Sequence, residues 1–92
     1  MKISSSAKIT VPDGVLVQEL QGESVLLNVN TENYYGLDEV GTRMWVVLSE
    51  ASSISQAIDI LLLEYDVDRE RLVKDVCEFV SRLLRKELIE LS

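Results

Sequence analysis

Acid–base and nucleophilic chemistry need particular side chains in close company, and this sequence is short of them. It contains no His, which removes the usual general base and the commonest metal ligand. Its single Cys, Cys77, has no His to activate it, cannot form an intramolecular disulfide, and falls on an apolar helical arc where a small buried hydrophobe belongs. One Cys without His also rules out zinc-ligand spacing. Gly14, Gly22, Gly36 and Gly41 stand too far apart to form a phosphate-cradling loop. The 16 acidic residues are scattered along polar faces instead of converging in a pocket. No enzyme activity and no cofactor are expected.

The chemistry left is that of the backbone. Tyr34-Tyr35-Gly36-Leu37 reads as a short strand of aromatic and branched residues, bounded by Thr31-Glu32-Asn33 and by Asp38. Strand edges open to solvent are usually blunted by charge or Pro. Between Asn33 and Leu37 only Asn33 is fully polar, so this edge is read as one that a partner fills. Gly36 would let a second backbone approach closely, and of the two tyrosines one should enter the core while the other flanks the groove.

The elements that position this strand follow from pattern and turn signals. The first residues are small and polar and are expected to fray over 1–10, although Ile9 and Val11 alternate with polar neighbours and could add an edge segment. Val11-Pro12-Asp13-Gly14 is a turn signal. It leads into a strand, Val15 to Leu20, then a Gly-containing hairpin loop at Gln21-Gly22-Glu23. A second strand runs from Ser24 to Val29, with Val25, Leu27 and Val29 on one face and Leu26 and Asn28 on the other. With Tyr34 to Leu37 this makes an antiparallel three-stranded meander.

Three helices follow. In the first, Glu39 to about Glu50, Val40, Met44, Val47, Leu48 and Ala51 share a face, Trp45 packs at its flank, and Asp38 is the N-cap. Ser53 or Ser55 caps the second, whose Ile54, Ala57, Ile58, Leu61, Leu62 and Tyr65 face one way. Asp68 caps the third, Arg69 to about Lys86, and Leu88-Ile89-Glu90-Leu91 could pack back as a tail. In this third helix Leu72, Val76, Phe79 and Leu83 form a core stripe, and Val73, Cys77, Val80 and Leu84 lie beside it. The arc is wider than the roughly 100° that burying one face requires. Either the helix packs against both the sheet and a neighbouring helix, or the surplus edge lines a groove.

Composition bounds the partners. With 92 residues, 47% hydrophobic and 27% charged, the chain is one ordinary globular domain, 1–92. A net charge of −7 repels phosphate backbones, so nucleic acid is not an expected partner. The longest apolar run, Met44 to Leu48, is far short of the roughly 20 residues of a membrane span, so no membrane contact is expected either. The lone Cys and the lack of a signal-like start point to the cytoplasm. The fold class is α+β, a three-stranded antiparallel sheet followed by three helices, which is winged helix-turn-helix-like. A DNA-binding regulator is therefore the class-level alternative, although the third helix is only mildly basic.

These marks, taken in order, carry a resemblance. The run from Val25 to Trp45, centred on Asn33-Tyr34-Tyr35-Gly36-Leu37-Asp38 and closing on Met44-Trp45, is followed by Ser53-Ile54-Ser55-Gln56-Ala57-Ile58, by Glu64-Tyr65-Asp66-Val67-Asp68, and by Asp75-Val76 and Phe79. From about Pro12 to Leu91 the chain resembles the PqqD-like family of small peptide-binding proteins, leader-recognition elements in the maturation of ribosomally made peptides. Within it, the stand-alone lasso-peptide branch is the most similar. The resemblance implies that a precursor's leader adds as a strand to the third strand and lies between it and the third helix. Its site residues here would be Asn33, Tyr34, Tyr35, Gly36 and Leu37, with Val73, Cys77, Val80 and Leu84 as the helix wall and Lys74, Ser81 and Arg85 at its rim. The implied partners are the precursor leader and the pathway's leader protease and cyclase. A delivery subunit for a radical enzyme, as in quinone-cofactor biosynthesis, is the alternative within the family. Pairing of two chains through the open edge is left open.

Overall fold

The computed structural model describes residues 4–92. Its central sheet is built from β2 (Val15–Leu20), β3 (Glu23–Asn28) and β4 (Tyr34–Leu37), antiparallel and in the order β2-β3-β4, as the meander pattern predicts. The β2–β3 hairpin closes in two residues. Gln21 and Gly22 both have positive φ, 55° and 84°, the pairing of a type I′ turn whose twist matches that of the strands. Register sets Leu16 opposite Leu27 and Leu27 opposite Tyr34, with Val25 between Gln18 and Gly36.

Helices α1 (Glu39–Glu50), α2 (Ile54–Glu64) and α3 (Arg69–Arg85) follow. Asp38 caps α1 as expected, accepting from the Gly41 amide at 2.8 Å, and of the two candidates for α2, Ser53 and Ser55, it is Ser53 that caps, accepting from the Gln56 amide at 3.0 Å. Asp68 occupies the N-cap position of α3 but makes no side-chain cap bond. The core lies between the inner face of the sheet and the helices, with Leu26, Leu61, Val76, Val80, Leu83 and Leu88 its fully enclosed members. Trp45 is buried, as a core or helix-packing residue should be, and one expectation for α1 changes: Val40 is exposed, because α1 turns its Thr42-Trp45 side toward the sheet, where the Thr42 and Ser24 hydroxyls pair at 2.7 Å.

The two chain ends come together. Ile9–Thr10 forms β1 and pairs antiparallel with β5 (Glu90–Leu91), Ile9 opposite Leu91, in a second, two-stranded sheet. Ile9, Leu88 and Ile89 are buried beneath it. The stretch expected to fray is pinned from Ser5 onward: the Ser5 and Ala7 carbonyls accept from the Ser55 and Ile54 amides, and Lys8 Nζ donates to the Ala51 carbonyl at 2.9 Å. The bonds to Ser5 and Ala7 also satisfy N–H groups of the first turn of α2. Residues 1–3 of that expectation lie outside the described residues.

Candidate peptide-binding edge

The site starts from the hydrogen-bond phase of β4. The Asn28 amide donates to the Asn33 carbonyl at 2.9 Å. Backbone groups alternate sides along a strand, so Tyr35 and Leu37, like Asn33, turn theirs toward β3, and Tyr34 and Gly36 turn theirs to the far side. No strand among the described residues covers that side. Two N–H and two C=O groups thus face outward along a four-residue edge.

Side chains alternate across the sheet in the other sense. Tyr35 and Leu37 point inward: Leu37 is buried, and Tyr35 is half-buried against the core. Tyr34, 69% exposed, stands on the outer face, and a Cβ built on Gly36 would meet nothing within 4 Å. The Gly36 position is therefore an opening on the outer face.

The helix wall beside the edge belongs to α3. Arg82 Nη1 donates to the Tyr35 hydroxyl at 3.4 Å, and Lys86 Nζ lies 5.9 Å from the centre of the Tyr35 ring, within cation–π range. Phe79 and Arg82 share a cleft with Tyr35, Gly36 and Leu37. The hydroxyl of Tyr35, with help from Glu78, holds the Arg82 guanidinium still more firmly in its charged form. A second shallow cleft, sharing Arg82, runs along α3 past Lys74, Cys77, Glu78, Ser81 and Arg85. In a chain of charge −7, this flank is locally basic.

The C-terminal end of α3 fixes the wall's distance from the strand. The Leu88 amide donates to the Leu83 carbonyl and the Glu87 amide to the Leu84 carbonyl, a Schellman closure with Glu87 at φ 57°. This leaves the Lys86 and Glu87 carbonyls facing the sheet, where Asn33 Nδ2 donates to the first at 3.1 Å and Asn28 Nδ2 to the second at 2.7 Å. Asn28 Oδ1 meanwhile accepts from the Asn30 and Thr31 amides, holding the β3–β4 turn.

Of the residues proposed from sequence, the structure brings together Asn33, Tyr34, Tyr35, Gly36 and Leu37. The Asn33 side chain is engaged with Lys86 and is a strut of the site. The helix wall is corrected at Val80. Val80 is fully buried, and Val73 and Leu84 are half-buried against the core, so the surplus of the apolar arc is taken up by packing. They sit on the far edge of α3, with Cys77 next along the helix, while Phe79, Arg82 and Lys86 border the strand. Lys74, Ser81 and Arg85 flank the second cleft, beyond Arg82. The sequence reading missed Phe79, Arg82 and Lys86 as wall residues. Their spacing of three and four puts them on one helical row, but nothing in the row marks it as facing Tyr35.

Comparison with known proteins gives two kinds of match. The family model described as "Coenzyme PQQ synthesis protein D (PqqD)" matches residues 23–89. The solved structure "TbiB1 in Complex with the TbiA(beta) Leader Peptide" is 38% identical, with a TM-score of 0.81 over 87% of this chain and 93% of that one. "Lasso peptide synthetase B1 complexed with the leader peptide" is 19% identical, with a TM-score of 0.80 over 90% of this chain and 98% of that one, a likeness of fold. A search of curated proteins finds no significant match.

Proposed function

Because this chain belongs to the PqqD family, we propose that it binds the leader segment of a ribosomally synthesised precursor peptide by strand addition to β4, and does no chemistry itself. The observation that carries this reading is the pair of outward-facing backbone units at Tyr34 and Gly36 beside the wall of Phe79, Arg82 and Lys86. Backbone hydrogen bonds would supply affinity. Alternate side chains of the peptide would enter the cleft against α3, where the basic flank favours polar or acidic residues. The 38% identical relative, whose structure is described as a leader-peptide complex, supports the same assignment.

A non-catalytic leader binder acts by tethering. Held by its leader, the precursor's core region is presented to the leader protease and the ring-forming cyclase of a lasso-type pathway, and linkage of this kind raises local concentration to roughly millimolar. Calorimetric titration with the leader of the precursor encoded beside the gene, on the intact chain and on Gly36→Pro, tests the assignment. Saturable binding that weakens little with added salt and is lost in Gly36→Pro is expected. Failure to bind any leader, together with strongly salt-dependent binding to duplex DNA, overturns it in favour of a regulator.

A further inference from the structure

Positive charge is used unevenly in this chain. Among the described residues, Arg43 pairs with Glu64 at 2.6 Å, Arg69 with Asp59 at 2.8 Å and Arg71 with Asp75 at 3.8 Å, and Lys8 Nζ is held by the Ala51 carbonyl. Lys74, Arg82, Arg85 and Lys86 are left, and none of them pairs with a carboxylate. With 16 acidic residues against 9 basic ones, these cations are not unpaired for want of carboxylates. The helix macrodipole favours cations in the last turn of α3, at Arg82 and Arg85, but it does not account for Lys74, about three turns before Arg85. Lys74, Arg82 and Arg85 are exposed and share one shallow cleft with Cys77, Glu78 and Ser81. Of these residues only Arg82 also borders the cleft at Tyr35, Gly36 and Leu37.

We propose that the stripe of Lys74, Arg82 and Arg85 docks a carboxylate-rich surface patch of one of the pathway's enzymes, beside the bound leader. The inference rests on the leader-binding reading and names the surface through which the loaded chain meets its enzyme. A strand laid on β4 runs against Phe79 and Arg82 and leaves Lys74 and Arg85 to solvent, so their occupant is a second molecule. Charge sets its chemistry. Duplex DNA and an anionic bilayer carry negative charge over a wide area, and a chain of net charge −7 whose free cations lie on one stripe repels both everywhere else. A compact patch of Asp and Glu on a folded protein meets the stripe alone. Glu78, the one carboxylate in the cleft, calls for a Lys or Arg within that patch and so gives the contact a register.

The test measures association kinetics of the leader-loaded chain with the purified leader protease and, separately, the purified cyclase encoded beside the gene, at low and at high salt. The intact chain is compared with the double variant Lys74→Gln, Arg85→Gln and with Leu63→Glu, Val67→Glu, which lowers the net charge equally from exposed positions elsewhere. For one of the two enzymes the stripe variant should associate about tenfold more slowly at low salt, and the difference should shrink at high salt. The control pair should slow it by less than about threefold, and leader affinity, titrated on the same proteins, should change by a smaller factor than enzyme association. Equal effects of the two double variants reveal a general charge effect and overturn the docking surface. A fall in leader affinity as large as that in enzyme association assigns the stripe to the leader and overturns it. Stripe-dependent binding to duplex DNA or phosphatidylglycerol vesicles, or stripe-dependent self-association, with enzyme association unchanged, overturns it as well. So does failure of the loaded chain to associate with either enzyme, which leaves strand addition standing. If no leader binds the intact chain, the strand-addition reading falls too.

Discussion

Arg82 of α3 donates a hydrogen bond to the hydroxyl of Tyr35 of β4 at 3.4 Å, and this contact joins the two walls of the candidate peptide groove. The bond is long and Arg82 is exposed, so it adds little to stability. Its effect is to keep the guanidinium beside the strand edge. Tyr35→Phe should lower the unfolding free energy by less than about 1 kcal/mol. Arg82→Ala should leave the melting temperature nearly unchanged and weaken leader binding several-fold. Thermal unfolding set beside calorimetric titration separates the two effects.

Gly36 and Tyr35 are neighbours with opposite hydrogen-bonding duties. The Gly36 amide faces the open edge and the Tyr35 amide faces β3, so Pro at the two positions should behave differently. Gly36→Pro is expected to fold and to lose leader binding by at least about tenfold, the cost of roughly one backbone hydrogen bond plus ring crowding at the edge. Tyr35→Pro is expected to lose the cooperative unfolding transition. Circular dichroism melts with peptide titration check both.

Asn28 is buried and uses both ends of its amide, donating to the Glu87 carbonyl and accepting from the Asn30 and Thr31 amides. Asn28→Ala removes these bonds and strands a carbonyl and two amides near the core. A loss of about 2–3 kcal/mol is expected from urea unfolding. If Asn28 also sets the groove's width, leader affinity measured well below the unfolding midpoint should fall as well.

Arg43 clasps Glu64 through two hydrogen bonds, 2.7 and 2.6 Å, linking α1 to α2. The guanidinium holds the Glu64 carboxyl below its ordinary value of 4.5. A depressed folded-state value means that the pair's contribution is complete above the unfolded-state value and is lost as pH falls through the folded one. Both groups are solvent-exposed, so the contribution is small. The melting temperature of the intact chain should exceed that of Glu64→Gln near neutral pH, and the gap should narrow as pH falls below the ordinary carboxylate range. A gap that does not narrow on acidification would show that the difference has another source.

The order of elements, the caps at Asp38 and Ser53 and the strand at Tyr34 to Leu37 were legible in the sequence because each depends on contacts a few residues long. Alternation along four residues also decides which backbone groups of β4 are free, once a single bond to β3 is known. The helix wall was not legible. Periodicity gives the angles of side chains about the axis of α3 but not the rotation of that axis against the sheet. Val73, Val80 and Leu84 extend the apolar arc on one side, and from sequence that side could equally have met a peptide or the core. In the folded chain packing takes it, and the polar side with Arg82 turns to Tyr35. The bonds from Asn28 and Asn33 to the end of α3 span 59 and 53 residues, and only tertiary structure decides contacts at such range. They hold the helix at the rotation that sets Arg82 beside Tyr35.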